Sequence, residues 1–205
     1  MKTVFDPAIR SRPVYGTLMP RPGPAHLMIA DGAGALAIAD LVAAAGERAV
    51  AMLAATQVIY VPGPDGDDHS AQLQALAPAQ FYRGPTFAAA LPRLRKVLAD
   101  AHMGLQVYLA GTEGLIGQAL REAMAAGLPH TAVQTEHRGS TVRRVQCVHC
   151  KGITENVRTD PFRCGHCGLA LFVRDHYSRR IAAFQGVNID AEEPGRVPPA
   201  RERFG

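Results

Sequence analysis

Residues 25–139 carry short apolar runs separated by longer stretches in which apolar residues recur every three or four positions. AHLMIA (25–30) is too short for a helix and stops at Asp31-Gly-Ala-Gly34, so it reads as a strand entering a turn. From Ala35 to Ala45 good helix formers place apolar residues at helical positions, with Gly46 as the stop. Two further runs, AVAML (49–53) and QVIYVPG (57–63), predict a strand pair or a strand with its approach. Residues 65–70 predict a polar loop, and AQFYRG (79–84) another short strand. Thr86 to Ala101 predicts a helix with Phe87, Leu91, Leu94 and Leu98 on one face, and with Pro92 as a point of kinking. LQVYLAG (105–111) alternates apolar residues and ends at a glycine, the clearest strand signal in the chain. A helix follows over 112–126, closed by Gly127 and Pro129, and TAVQTEH (131–137) predicts the last strand. Strands alternating with helices predict an α/β fold: a parallel sheet covered by helices.

On either side the texture changes. Residues 1–24 are rich in Pro, Arg and Gly and predict an irregular arm. After Gly139-Ser140 the pattern gives way to a cysteine-bearing segment, and residues 191–205, acidic and then Pro/Arg-rich, predict a flexible tail. The expected divisions are therefore 1–24, 25–139, 140–190 and 191–205.

The length, 205 residues, suffices for one α/β domain and a small appendage, and the apolar fraction of 47% is ordinary for a globular chain. No run of about 18 apolar residues predicts a membrane span, and Met1–Asp6 lacks the apolar core of a secretory signal. A cytoplasmic location is expected. The net charge of +4 is unevenly placed. Residues 1–139 hold 11 Lys and Arg against 11 Asp and Glu, whereas residues 140–205 hold 11 against 7. Without an aromatic-interleaved basic stripe or a helix-turn-helix pattern, this excess points to an acidic protein partner before nucleic acid.

All four cysteines lie within 21 residues, as Cys147-x2-Cys150-x13-Cys164-x2-Cys167. In a cytoplasmic chain two C-x-x-C pairs signal metal or redox chemistry in preference to disulfides. Each pair can bend around an ion, and Gly168 suits the left-handed residue that closes such a turn. Lys151 holds the equivalent place after the first pair, so the two turns are expected to differ. Four thiolates suit a closed tetrahedral zinc site, with a single iron as the alternative. His149 and His166 are expected as exposed turn residues, since four cysteines complete the tetrahedron. Phe172 and Phe184 are expected to pack over the metal module. Asp175, His176, Tyr177, Arg179 and Arg180 form a dense polar cluster that reads either as a partner contact or as a solvated strand end. Glu113 reads as a helix-start carboxylate, and Glu136 and His137, adjacent on a strand, as facing opposite sides. No nucleophile elbow, Walker loop or metalloprotease helix occurs, and no catalytic residue is expected in this chain.

LMIADGAG (27–34) and LQVYLAGTEGL (105–115) together resemble the Rossmann-like nicotinamide-binding domain of the ferredoxin–NADP reductase superfamily, especially its phthalate dioxygenase reductase branch. The four-cysteine segment occupies the place where that branch carries a ferredoxin domain, and a small zinc-ribbon or rubredoxin-like domain is expected there. The chain departs from the pattern in two places. Asp31 stands where a glycine should let the backbone approach a pyrophosphate. Ala110 stands where a cysteine adjoins the hydride-accepting carbon. With CVHCKG, FRCGHCG and RDHYSRR, the chain as a whole is similar to the DmmA subunits of bacterial dimethylamine monooxygenases. That resemblance implies an accessory subunit in an enzyme converting dimethylamine to methylamine and formaldehyde. It implies a haem-binding subunit and a flavin/iron–sulfur reductase subunit as partners, and carries over only the four cysteines. A rubredoxin-like electron carrier and a stand-alone zinc ribbon binding nucleic acid or protein are the competing expectations.

Overall fold

The computed structural model describes residues 11–63 and 66–205; the reading of residues 1–10 as part of an arm, and that of Asp65 as the start of a loop, lie outside the described residues. The first sheet has five parallel strands in the order β3-β2-β1-β4-β5: β1 (Ala25–Asp31), β2 (Thr56–Val61), β3 (Gln80–Arg83), β4 (Leu105–Gly111) and β5 (Val133–His137). The connecting helices are α1 (Gly34–Ala44), α2 (Ala49–Ala54), α3 (Ser70–Ala75), α4 (Phe87–Ala99) and α5 (Glu113–Ala125).

Both faces of this sheet are covered, which is why its central strands read as unbroken apolar runs. In β1, Met28 and Ala30 face α1, α2 and α3, whereas Leu27 and Ile29 pack with Leu94, Leu98, Leu115 and Ile116 of α4 and α5. In β4 the same alternation sends Tyr108 and Ala110 one way and Val107 and Leu109 the other. This is a doubly wound α/β architecture.

Three expectations need correcting in this part. Of the two readings of AVAML (49–53), the strand of a pair fails: the run is helix α2, the approach to strand β2. Ala49, Ala51 and Ala54 favour helix, and Met52 and Leu53 reach the core from it, so helical preference prevails over the apolar run. Helix α3 starts at Ser70, read as the end of a loop, and runs on through residues for which no element was predicted. Helix α4 runs through Pro92 without interruption, started by Thr86, whose hydroxyl accepts from the Ala89 amide.

The second sheet has the order β7-β6-β11-β10-β9, built from β6 (Arg143–Cys147), β7 (Ile153–Val157), β9 (Phe162–Arg163), β10 (Ala170–Ser178) and β11 (Ala183–Asn188). Strand β8 (Thr159–Asp160) pairs separately with β12 (Arg201–Glu202). That pairing corrects the expectation of a flexible tail over its whole length. Residues 201–204 are held, with Phe204 buried against the second core and the Arg143 guanidinium stacked between the Phe184 and Phe204 rings at 4.0 and 4.2 Å.

The described part of the arm, residues 11–24, lacks regular elements but binds both sheets. Ser11 Oγ donates to the Asp175 carbonyl and accepts from the Tyr177 amide, across the irregularity in β10. The Leu18 amide donates to the buried Glu136 carboxylate at 2.7 Å. Among the described residues no helix is long and apolar enough to cross a membrane.

Candidate metal centre

Two strand ends and two turns bring the cysteines together. Cys147 is the last residue of β6, and Cys164 directly follows β9. Each begins a turn with the same backbone bonds. The Cys147 amide donates to the Gly152 carbonyl and the Lys151 amide to the Cys147 carbonyl; the Cys164 amide donates to the Leu169 carbonyl and the Gly168 amide to the Cys164 carbonyl. Lys151 takes φ +63° and Gly168 φ +74°. The turns were expected to differ because Lys151 lacks glycine's freedom; instead Lys151 adopts the left-handed conformation itself. Its ammonium donates to the Val148 carbonyl at 2.6 Å, which offsets part of that strain.

The four Sγ atoms lie within 4.8 Å of one another, Cys147 to Cys167 at 3.9 Å and Cys150 to Cys164 at 3.7 Å. A tetrahedron with metal–sulfur bonds near 2.3 Å has edges of about 3.8 Å. The residues therefore fit a single four-coordinate ion. Cys147 and Cys164 are buried with Leu171, while Cys150 and Cys167 face solvent. At Cys164 burial opposes ionisation, but hydrogen bonds from the Cys167 and His166 amides and from neighbouring thiols prevail and lower its pKa to about 6. Cys167 has a bond from the Leu169 amide that lowers its pKa, but desolvation and the three neighbouring sulfurs push it up to about 12. Four sulfurs this close cannot all carry charge alone; a divalent cation removes that conflict by binding four thiolates.

His166 is exposed, as expected, yet it braces the site. Its Nε2 lies 2.8 Å from the Ile153 carbonyl, and its ring lies so close to Gly152 that a Cβ there would sit 2.5 Å from it. The turn after the first pair thus needs a glycine because the second pair's histidine rests on it, a pairing with no signature in the sequence. Thr154 Oγ1 adds a second cross-link by accepting from the Gly165 amide.

The expected cover of the cysteine site by Phe172 and Phe184 is corrected. Phe172 is 37% exposed, and Phe184 packs in the neighbouring core with Val145 and Tyr177. Strand alternation in β10 turns Leu171 and Val173 inward and Phe172 outward, so Leu171, with Phe162 and Leu169, covers the buried cysteines. The polar cluster also divides. Tyr177 is buried, while Asp175 reaches the Arg143 guanidinium at 2.8 Å. Glu113, expected at a helix start, is buried there beside Tyr15, whose pKa is raised by desolvation first and then by that carboxylate. Glu136 and His137 have different partners: Glu136 binds Arg138 and the Leu18 amide, whereas His137 lies tilted beside Tyr15 with ring centres 5.7 Å apart.

Residues 7–133 match the N-terminal domain model, and residues 144–187 the C-terminal domain model, of the dimethylamine monooxygenase subunit DmmA-like family. Over 101 residues the chain is 35% identical to the heme-dependent oxidative N-demethylase delta subunit of Ectopseudomonas mendocina (strain ymp), covering 49% of this chain and 58% of that relative's length. Among solved structures, the FAD/NAD-binding domain of nitric oxide dioxygenase from Vibrio cholerae O1 biovar El Tor aligns with a TM-score of 0.41 and 15% identity, over 60% of this chain and 54% of that one. The ferredoxin reductase of carbazole 1,9a-dioxygenase aligns with a TM-score of 0.36 and 18% identity, over 58% and 34%. With one of the two family models covering residues 7–133, more than half of its length, and the other residues 144–187, this chain belongs to the dimethylamine monooxygenase subunit DmmA-like family.

Proposed function

We propose that this chain is an accessory subunit of a haem-dependent oxidative N-demethylase acting on dimethylamine, and that it organises a haem-binding subunit and a flavin/iron–sulfur reductase subunit. The observation that carries this reading is the joining, in one chain, of both domains of the DmmA-like family, together with a relative named as a delta subunit of such an enzyme. Arg174, Asp175, His176, Arg179 and Arg180 at the end of β10 offer a charged contact surface for an acidic partner. We assign Cys147, Cys150, Cys164 and Cys167 to one zinc ion. A closed set of four thiolates leaves no position for substrate, and zinc has no redox chemistry, so its role is to hold the turns in shape. The cytoplasm, which keeps neighbouring thiols reduced, is the compartment that suits them.

One observation favours a second reading. Cys150 and Cys167 face solvent, and iron in the same sulfurs makes a rubredoxin-like one-electron centre with a surface exit. Metal analysis of fresh protein with a visible spectrum separates the two: zinc near one equivalent and no colour is expected, and stoichiometric iron with thiolate charge-transfer bands overturns the zinc assignment. Purification of a tagged chain from a producing cell tests the subunit role. A haem protein and a flavoprotein are expected to accompany it in fixed ratio, and a chain that always emerges alone overturns that role.

A further inference from the structure

Doubly wound sheets bind ligands outside the carboxyl ends of their strands, where the strand order reverses. In the order β3-β2-β1-β4-β5 that place lies between β1 and β4. A dinucleotide there sets its pyrophosphate against the turn after β1 and draws on free backbone N–H groups at helix starts. Here the crevice is filled by the chain's own carboxylate. Asp31, the last residue of β1, is 8% exposed; its Oδ1 accepts from the Thr112 amide at 2.7 Å and its Oδ2 from the Thr112 hydroxyl at 2.6 Å. Thr112 is the residue that starts α5, and its hydroxyl also accepts from the Leu115 amide. Gly111, at φ +123°, is held to glycine because a Cβ there would overlap the Asp31 carboxyl.

The next part of the turn is closed by the chain itself. The amides of Ala35 and Leu36 donate to the Gly32 and Ala33 carbonyls, so the first turn of α1 bonds within itself. A Cβ on Gly34 would overlap the Ala110 carbonyl, leaving no gap between α1 and β4. On the other side, a Cβ on Gly32 would lie 2.9 Å from Gly63 Cα, so the segment after β2 closes that flank.

We propose that this crevice does not bind a nicotinamide dinucleotide, and that Asp31 occupies the pyrophosphate position as an internal anion that ties β1 to the start of α5. The tie extends to the cysteine-bearing sheet, because Gly117 of α5 lies directly under the Tyr177 hydroxyl of β10. Asp31 is thus a positioning residue for the platform on which the second sheet rests. This inference is independent of the demethylase reading.

The test titrates the full-length protein with NADH and NADPH at pH 7.5, following nucleotide fluorescence, and records thermal midpoints of wild type and Asp31→Gly. No saturable binding by wild type up to millimolar nucleotide is expected. The Asp31→Gly midpoint is expected to fall by about 5 °C or more, for loss of two charge-assisted hydrogen bonds. An Asp31→Gly chain that fails to fold agrees with the tie, and the wild-type titration still stands alone. Saturable wild-type binding with Kd below about 100 μM overturns the exclusion, and an unchanged Asp31→Gly midpoint overturns the tie.

Discussion

At the scale of single residues, the cysteine turns separate conformational strain from ligation. Replacing Lys151 by Gly keeps the turn and relieves a left-handed non-glycine residue, although it gives the unfolded chain more freedom and loses the bond to Val148. Lys151→Gly is expected to change stability by less than about 1 kcal/mol, whereas Gly168→Val, placing a branched side chain at φ +74°, is expected to cost about 2 kcal/mol in denaturant melts. Any one of the four cysteines changed to Ser is expected to drop bound metal from near one equivalent to a small fraction, read by elemental analysis after dialysis. Asp31 gives a pH prediction. Desolvation raises its pKa from 3.8 to about 6 against the hydrogen bonds from Thr112, so the folded chain holds that proton more tightly than the unfolded one. The proton-linked part of its stability is full below pH 4 and is lost as pH rises through 6, on the order of 3 kcal/mol, while the two bonds from Thr112 to the ionised carboxylate remain above that pH. Relative to the neutral isostere Asp31→Asn, wild type is therefore expected to lose ground between pH 4 and 7; a constant difference between the two urea midpoints contradicts this.

Between elements, glycines set the contacts. Gly117 admits the Tyr177 hydroxyl and Ala182 against α5, which brings the second sheet onto the first. Gly117→Val is expected to separate those surfaces, lowering the thermal midpoint and raising protease sensitivity near residue 140 while far-ultraviolet circular dichroism keeps its helical signal. Most elements were legible before their packing was known. β4 and α5 match their sequence readings because a period of two, a closing glycine and a capping Thr112 agree with one another. The strand-pair reading of AVAML failed because five apolar residues carry no period, and burial of Met52 and Leu53 is compatible with either element. The outward turn of Phe172 was illegible for a related reason: a nine-residue strand with an irregularity between Arg174 and Tyr177 has a face only once its neighbours β9 and β11 fix the register.

Across the whole molecule, the last residues close the second core. Phe204 is 4% exposed, the Thr141 hydroxyl donates to the Gly205 carbonyl, and β12 completes a ladder with β8. Deleting residues 201–205 is expected to destabilise the cysteine-bearing part by about 2–3 kcal/mol, the scale for uncovering one large aromatic side chain and one buried arginine. The check is loss of cooperativity in unfolding without loss of the first sheet. The sequence by itself determined the strand–helix alternation over residues 25–139 and the identity of the four sulfur ligands, because backbone periodicity and C-x-x-C spacing are local properties of the chain. Only the tertiary structure decided that Asp31 turns inward to hold Thr112 at the start of α5, that His166 rests on Gly152, and that the final segment is docked. Each of those depends on groups far apart in sequence, and the carboxylate that a reading of the chain sets against a phosphate is satisfied by an amide and a hydroxyl 81 residues away.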